Sequence, residues 1–448
     1  MKSKKKKILF IENRTATFYY DEVSKYLNSN YEIHWIIQNN FFLPKNGIKH
    51  IIQYPKKKDL KEIRIDKKFK KLKSIDRGRR YFHQKTNHYH YYFQQIKKIL
   101  KQIRPDLIVG ETDLFHELIT VELAKKFNIR YVFPSGTRYP KYRTTFLKYD
   151  NFEPISSSNN YNNFNTKQFK ELVKQILNSK YKLDYMRVEP FLSKLKRRYY
   201  QFIVAISYLL GEKYNTPSPF KFLKLNLEKR LIKILWKIFS NKERYKFNEV
   251  LKNNRFILYP LQIQPEVSND AWGYPYNEQE KIIIQLSKNL KKIDYNLAIK
   301  INPKLKYELK LKNLLRIKKI SNIVLIPNDF EMNYLLKKCA GVFSITGTVI
   351  IEAILYNKPI FTLSNNFMSS FKGVTRIKNY RDLISKIKNI SLKNKSDNRN
   401  GINLFKKIYK FSFDLSFNLS NISQKYSNEH KSMANLILRI EKNEKFKK

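Results

Sequence analysis

SITGTVIIEAILYNKPIF, Ser344 to Phe361, decides how the chain is read, because a small polar turn opens an apolar helix that stops at Lys358-Pro359 before another strand. Val342 to Ile345 close a buried strand, Thr346-Gly347-Thr348 make the turn, Val349 to Leu355 form the helix, and Ile360 to Leu363 begin the next strand. Gly347 lets backbone approach a ligand, the hydroxyls of Thr346 and Thr348 can donate hydrogen bonds, and the helix start offers free N–H groups. Such a turn suits a phosphate or nucleotide. Glu352, one turn into the helix on the face of Thr348, either accepts ribose hydroxyls or simply favours the helix start. The same pattern also serves as an ordinary α/β crossover, so its neighbours must decide.

Outward from this turn, strands at Phe256–Tyr259, Leu297–Ile301, Ile323–Ile326 and Gly341–Ile345 alternate with helices at Glu278–Lys291 and Phe330–Lys338. The first half alternates as well. Strands are expected at Ile8–Glu12, Glu32–Gln38, Ile51–Tyr54, Asp106–Glu111 and Arg130–Pro134. Helices are expected at Thr17–Leu27, within Tyr81–Ile103 and at His116–Phe127. Alternation of this kind predicts parallel sheets covered on both faces. The fold class is therefore α/β, with two facing Rossmann-like domains of the GT-B type and a helical connector. The expected boundaries are an acceptor-side domain over 1–150, a basic helical connector over 151–250, a nucleotide-sugar domain over 251–390 and a helical tail over 391–448. A ligand would lie outside the carboxyl ends of the strands.

The 448 residues are 42% apolar and 15% aromatic, which excludes wholesale disorder. Lys plus Arg number 90 against 37 Asp plus Glu, a formal charge of +53. Such an excess points to polyanionic partners: an anionic membrane, a nucleotide, an acidic glycan or nucleic acid. The single cysteine, Cys339, excludes an internal disulfide framework, and the scattered histidines show no paired ligand spacing, so no metal is expected. The basic run Met1–Lys7 meets only a short apolar segment before Glu12, which reads as a first strand rather than a secretory leader. Gln201–Gly211 is the most apolar window and is too short to span a bilayer. The expected location is the cytoplasm, including the inner face of the cytoplasmic membrane.

Three loops of the second block follow strands at one end of the expected sheet: Pro260-Leu261-Gln262-Ile263-Gln264-Pro265-Glu266, then Lys300-Ile301-Asn302-Pro303, then Thr346-Gly347-Thr348. In this order, PLQIQPE, K-x-N-P and SITGTVIIEA…NKP, the sequence resembles the capsular polysaccharide synthesis family, whose relatives include Kdo transferases that use CMP-Kdo on a two-Rossmann fold. GETDLFHELITVELAKKFNIRYVFPSGTRYP, within Asp106–Asp150, is more weakly similar to the family's acceptor-side domain. The resemblance implies donor-binding roles for Gln262, Gln264, Lys300, Asn302, Pro303, Thr346, Gly347, Thr348 and Glu352. It also implies a catalytic acid position at Glu266, where the Kdo transferases usually carry Asp. The family shows Lys-x-His-Pro in the second loop, whereas this chain has Asn302 before Pro303. Asparagine donates a hydrogen bond to a phosphate but cannot protonate a leaving group.

Chemistry gives a parallel reading. A nucleotide-sugar donor needs its departing phosphate neutralised, which Lys300, the threonine turn and the helix start can do without a metal. Glu266 is a base, a nucleophile, an anchor for a sugar hydroxyl, or the cap of the following turn. Glu111 ends a strand of the first block, where an acceptor hydroxyl would meet a catalytic base, with Asp113 and His116 close behind. His116 is either an acceptor ligand or a surface or capping residue. Arg138 and Arg143 can grip an acidic sugar or lipid phosphate in bidentate fashion, or merely belong to a basic chain. Leu192–Leu210 and Phe220–Phe239 alternate Lys/Arg with apolar residues at helical spacing. That pattern fits either a helix lying in an anionic membrane interface or one packed on the protein with a solvated lysine face.

The function expected is a glycosyltransferase of surface polysaccharide biosynthesis. Its partners are a nucleotide-sugar donor, Kdo or another acidic sugar on CMP, and a glycan or glycolipid acceptor, with no other cofactor. The alternatives are a non-catalytic protein of polysaccharide assembly or export, and a basic nucleic-acid-binding protein, which no recognition motif supports.

Overall fold

The computed structural model describes residues 5–27, 31–60, 69–82, 85–155, 165–178, 180–181, 191–389, 399–417 and 427–442. Parts of three stretches named above lie outside these: residues 1–4 of the basic run, 156–164, 179 and 182–190 of the expected connector, and 391–398, 418–426 and 443–448 of the expected tail. The chain divides into two units. One takes Met1–Ser157, Asp184–Pro219 and Phe411–Lys448, the other Ser158–Leu183 and Phe220–Lys410.

In the first unit, β1 (Lys6–Ile11), β2 (Tyr31–Ile37), β3 (Ile48–Ile51), β4 (Leu107–Val109), β5 (Arg130–Gly136) and β6 (Arg143–Lys148) join a two-residue strand at Phe413–Asp414. The order is Phe413–Asp414, β6, β5, β4, β1, β2, β3. Pairing is parallel from β3 to β5, while β6 runs antiparallel to β5 and to Phe413–Asp414. Continuous apolar runs such as Ile8–Ile11 are fully buried, as strands covered on both faces must be. Trp35 stacks on Phe10 with ring centroids 4.9 Å apart.

The second unit has β7 (Phe256–Pro260), β8 (Asn296–Lys300), β9 (Ile323–Leu325), β10 (Gly341–Phe343), β11 (Ile360–Thr362) and β12 (Val374–Arg376) in the order β12-β11-β10-β7-β8-β9, all parallel. Within each unit the six strands follow the doubly wound order 3-2-1-4-5-6, which reverses direction beside the first strand. The architecture is thus two Rossmann-like α/β units, as the alternation predicts.

The units differ from the four consecutive segments expected. The segment 151–250 is not an independent connector: its helix Phe191–Leu209 belongs to the first unit, and its helix Pro219–Lys242 packs on the second through Ile232 and Trp236. The Trp236 indole N–H donates to the Ile326 carbonyl at 3.0 Å. The tail also divides. Its residues from Phe411 return to the first unit because β6 leaves an open sheet edge that Phe413–Asp414 pairs. The helix Ser427–Lys442 then buries Met433, Ala434, Ile437 and Ile440 in that unit's core. Glu441 binds Lys6, Tyr31 and Arg130.

Candidate active site

In the second unit the strand order reverses between β7 and β10, so the loop after β7 and the turn after β10 flank the switch point, with the end of β8 beside them. Pro260 is in register with Lys300, and the Leu261 N–H donates to the Lys300 carbonyl at 2.8 Å. The three loops singled out in the sequence therefore leave neighbouring strands at the carboxyl end of one sheet.

The turn is built as expected and differently occupied. The helix Val349–Leu355 is capped by Tyr356 and followed by Asn357, whose φ of 53° is left-handed, and Pro359 prevents its extension. A Cβ on Gly347 would lie 2.8 Å from both the Gln262 amide and the Ser344 hydroxyl, so any larger residue would push these side chains out of the bonds they make to the turn. With its amide oriented to satisfy every neighbour, Gln262 accepts from the Thr346 hydroxyl at 3.1 Å, from the Thr346 N–H at 3.3 Å and from the Gly347 N–H, while its NH2 donates to Asn269 at 2.6 Å. The Gly347 N–H also reaches the Ser344 hydroxyl at 3.1 Å. The first N–H groups of the turn are thus held by the protein itself, and Thr346 is buried. Thr348 and Glu352 are half-buried one turn apart, leaving Thr348 as the outer hydroxyl of the turn.

The loop after β7 is held from beneath by residues that no motif marks. Gln279 accepts from the Gln262 N–H at 2.8 Å, and its NH2 donates to the Gln262 carbonyl at 2.7 Å and the Gln264 side-chain oxygen at 3.0 Å. Gln264 is buried and donates to Asp270 at 2.6 Å and to the Asn277 carbonyl at 2.9 Å, so its polar atoms face inward. Asp270 also accepts the Glu266 N–H at 3.1 Å. Glu266 occupies the cap position of the short helix Val267–Asp270, but its side chain makes no capping bond and the residue is half-buried.

Lys300 ends β8 almost fully buried and makes no ion pair among the described residues. Burial pulls its amine down to about 8, with only a partial counter-effect from Asp329. Asn302 accepts the Lys304 N–H at 2.9 Å, closing a turn over the exposed Pro303. A further acid was not signalled in the sequence. Glu308 is buried, accepts the Lys306 N–H at 2.8 Å and the Gln264 N–H at 3.5 Å, and has its other oxygen unpartnered. Burial lifts its carboxyl to about 7.

In the first unit the order reverses between β1 and β4, which brings Glu12-Asn13-Arg14 beside Glu111. Glu111 is nearly closed off from solvent and accepts the Tyr20 hydroxyl at 2.9 Å. Burial, with neighbouring Glu117, holds its carboxyl well above the usual carboxylate range. His116 is fully buried, its Nε2 2.7 Å from the Glu12 carbonyl and its Nδ1 3.3 Å from the Asn215 amide. Burial lowers it to about 4, and it is a neutral tie between loops rather than a surface ligand. Arg143 points into the sheet edge, donating to the Ser412 hydroxyl and carbonyl, each at 2.8 Å, because β6 is a strand that the sequence reading missed. Arg138 is exposed in the hairpin between β5 and β6. Glu12, lifted by burial to about 7, and Glu117, lifted to about 8, complete this cluster.

The family profile described as capsule polysaccharide biosynthesis protein matches residues 162–395, more than half of the chain. The chain belongs to that family. The match takes in all three loops at the carboxyl end of the second sheet, so the capsule biosynthesis family's own region contains the candidate site. No curated protein matches the sequence. Among solved structures, the UDP-GlcNAc 2-epimerase of Methanocaldococcus jannaschii is similar at 14% identity, covering 97% of this chain and 99% of that one, with a TM-score of 0.28. A glycosyltransferase of Rickettsia africae ESF-5 is similar at 13% identity, covering 97% and 99%, with a TM-score of 0.29. Superpositions this loose carry no weight, and the architecture of this member of the capsule biosynthesis family rests on its own strand order.

Proposed function

We propose that the protein is a glycosyltransferase of surface polysaccharide biosynthesis that takes a sugar, Kdo or another acidic sugar, from a CMP-linked donor to a glycan or glycolipid acceptor on the cytoplasmic side of the membrane. The observation that carries this reading is the convergence of Gln262–Glu266, Lys300–Pro303 and Thr346–Thr348 at the switch point of a sheet inside the region matched by the capsule biosynthesis family. In this reading Lys300 and the outer hydroxyl of Thr348 take the donor phosphate, with Lys300 stabilising the charge that develops as the nucleotide leaves. Glu266 is the only acid of its loop and makes no bond through its carboxylate, so it is assigned to proton transfer from the acceptor hydroxyl. No metal is required, since a buried amine supplies the positive charge.

The test is a thermal-shift screen of CMP and UDP followed by transfer assays over a panel of CMP- and UDP-sugars. Stabilisation by CMP and release of CMP during transfer are expected. No stabilisation by any nucleotide at millimolar concentration would remove the donor-site reading. Binding of CMP without turnover would favour the second reading, a non-catalytic assembly protein, which the tied-down Asn302 amide in place of a family histidine supports.

A further inference from the structure

The helix Pro219–Lys242 carries two apolar faces, and only one of them is covered. Ile232 and Trp236 pack into the second unit's core, and Leu225 on the same side is buried. At about 100° per residue, Phe220, Leu223, Leu227, Leu231, Ile234 and Ile238 fall on one stripe on the opposite side. All six are exposed, Phe220 at 77%, Leu227 at 56% and Ile234 at 57%. The stripe runs about 27 Å along the helix. Exposed Arg230 and Lys237 border it on one side and exposed Lys224 and Lys242 on the other. Glu228 is the helix's one acid, and it is turned to the Leu311 N–H, which it accepts at 3.0 Å.

From this we infer that the helix Pro219–Lys242 docks the protein lengthwise on an anionic lipid surface, its outer stripe entering the acyl boundary and its flanking cations lying at the headgroups. An apolar stripe between two rows of cations matches such an interface in both polarity and charge. The helix does not cross the membrane: among the described residues no helix is long and apolar enough to do so. Nucleic acid fits less well, since phosphates would engage the cations and leave the Leu and Ile side chains in water. The first unit's helix Phe191–Leu209, taken by itself, likewise leaves Phe191, Leu195, Tyr199 and Phe202 exposed. This inference goes beyond the donor reading and does not depend on it.

The experiment is co-sedimentation of the full chain with vesicles of phosphatidylcholine alone and of phosphatidylcholine mixed with phosphatidylglycerol, across a salt series. Two double variants are included, Leu227→Glu with Ile234→Glu and Arg230→Glu with Lys237→Glu, and the melting temperature, the particle size and the CMP shift are measured on the same samples. The expected result is binding to the anionic vesicles only, weakened by salt and at least tenfold weaker in both variants, with melting, size and CMP response unchanged. Failure to bind anionic vesicles, or equal binding by the variants, overturns the inference. So does a drop in melting temperature or particle size in the Leu227/Ile234 variant with vesicle binding intact, which would mean that the stripe is covered by this chain or by a second copy. An unchanged CMP shift in any of these cases keeps the donor reading separate.

Discussion

The side-chain amide of Gln262 lies 3.1 Å from the hydroxyl of Thr346, so the loop after β7 and the turn after β10 are bonded to each other across the switch point. The two threonines of the turn therefore have different duties. Thr346→Val is expected to lower stability by about 1 kcal/mol through the lost bond to Gln262. Thr348→Val should leave the melting temperature unchanged and weaken the thermal shift produced by CMP. Equal effects of the two substitutions on both readouts would contradict this division.

Lys300 has a pH signature. Its amine is held near 8 in the folded chain against 10.5 for an ordinary lysine, so between these values the unfolded chain binds more protons and stability rises with pH. Below pH 8 the charged amine is a standing cost on the order of 2 kcal/mol. Lys300→Met should therefore raise the melting temperature at pH 7 while abolishing the CMP shift. Nucleotide affinity of the native chain should fall as pH passes 8, and titration calorimetry from pH 6.5 to 9 measures it.

Glu266 makes no side-chain cap to the helix that follows it. Glu266→Gln should leave melting and nucleotide binding as they are and reduce the transfer rate by about 10²-fold or more, the usual effect of losing a general base. A rate within a factor of about two of the native one would assign the residue no catalytic part.

Asn302→His tests the departure in the second loop. Replacing the amide breaks its bond to the Lys304 N–H, for an expected loss of about 1 kcal/mol in stability. If the leaving phosphate sits beside this residue, the imidazole should still raise turnover of a CMP-linked donor; lower turnover at unchanged CMP affinity would leave charge neutralisation to Lys300 alone.

Glu308 should behave oppositely to Lys300. Burial raises its carboxyl from 4.5 to about 7, so the folded chain binds the extra proton in that window and stability is lost as pH rises through it. Glu308→Gln, which keeps an acceptor for the Lys306 N–H, should stabilise the protein at pH 8 by on the order of 2 kcal/mol and make little difference near pH 4.5. Melting curves at both pH values decide it.

The elements legible in the sequence were those with an uninterrupted apolar signal. Ile8–Ile11, Phe256–Tyr259 and the turn at 346–348 announce themselves because fully buried parallel strands and crossover turns leave local patterns. Arg143–Lys148 and Phe413–Asp414 do not. Their pairing lies some 270 positions apart along the chain, and RTTFLK read alone offers a basic residue for a ligand as readily as a strand. In the site, the spacing of the Gln262 loop, Lys300 and the threonine turn was visible. Their supports were not, since Gln279, Asp270 and Glu308 are single polar residues whose meaning appears only when backbone N–H groups from another loop reach them. His116 and Glu111 were visible as residue types, but their burial was not.

The return of Phe413–Asp414 and Ser427–Lys442 to the first unit sets an order on biosynthesis. A ribosome makes β1 to β6 first, yet their open edge and the hydrophobic face around Tyr19 and Val23 find their cover only after residues 411–442 have emerged. The second unit is nearly continuous in sequence, from Phe220 to Lys410 with the single helix Thr166–Leu177 ahead of it, and can close before then. The nascent chain thus carries a finished second unit while its opening strands are still waiting, and a chain halted at residue 410 would retain the loops after β7, β8 and β10 but leave the first sheet exposed to chaperones and proteases.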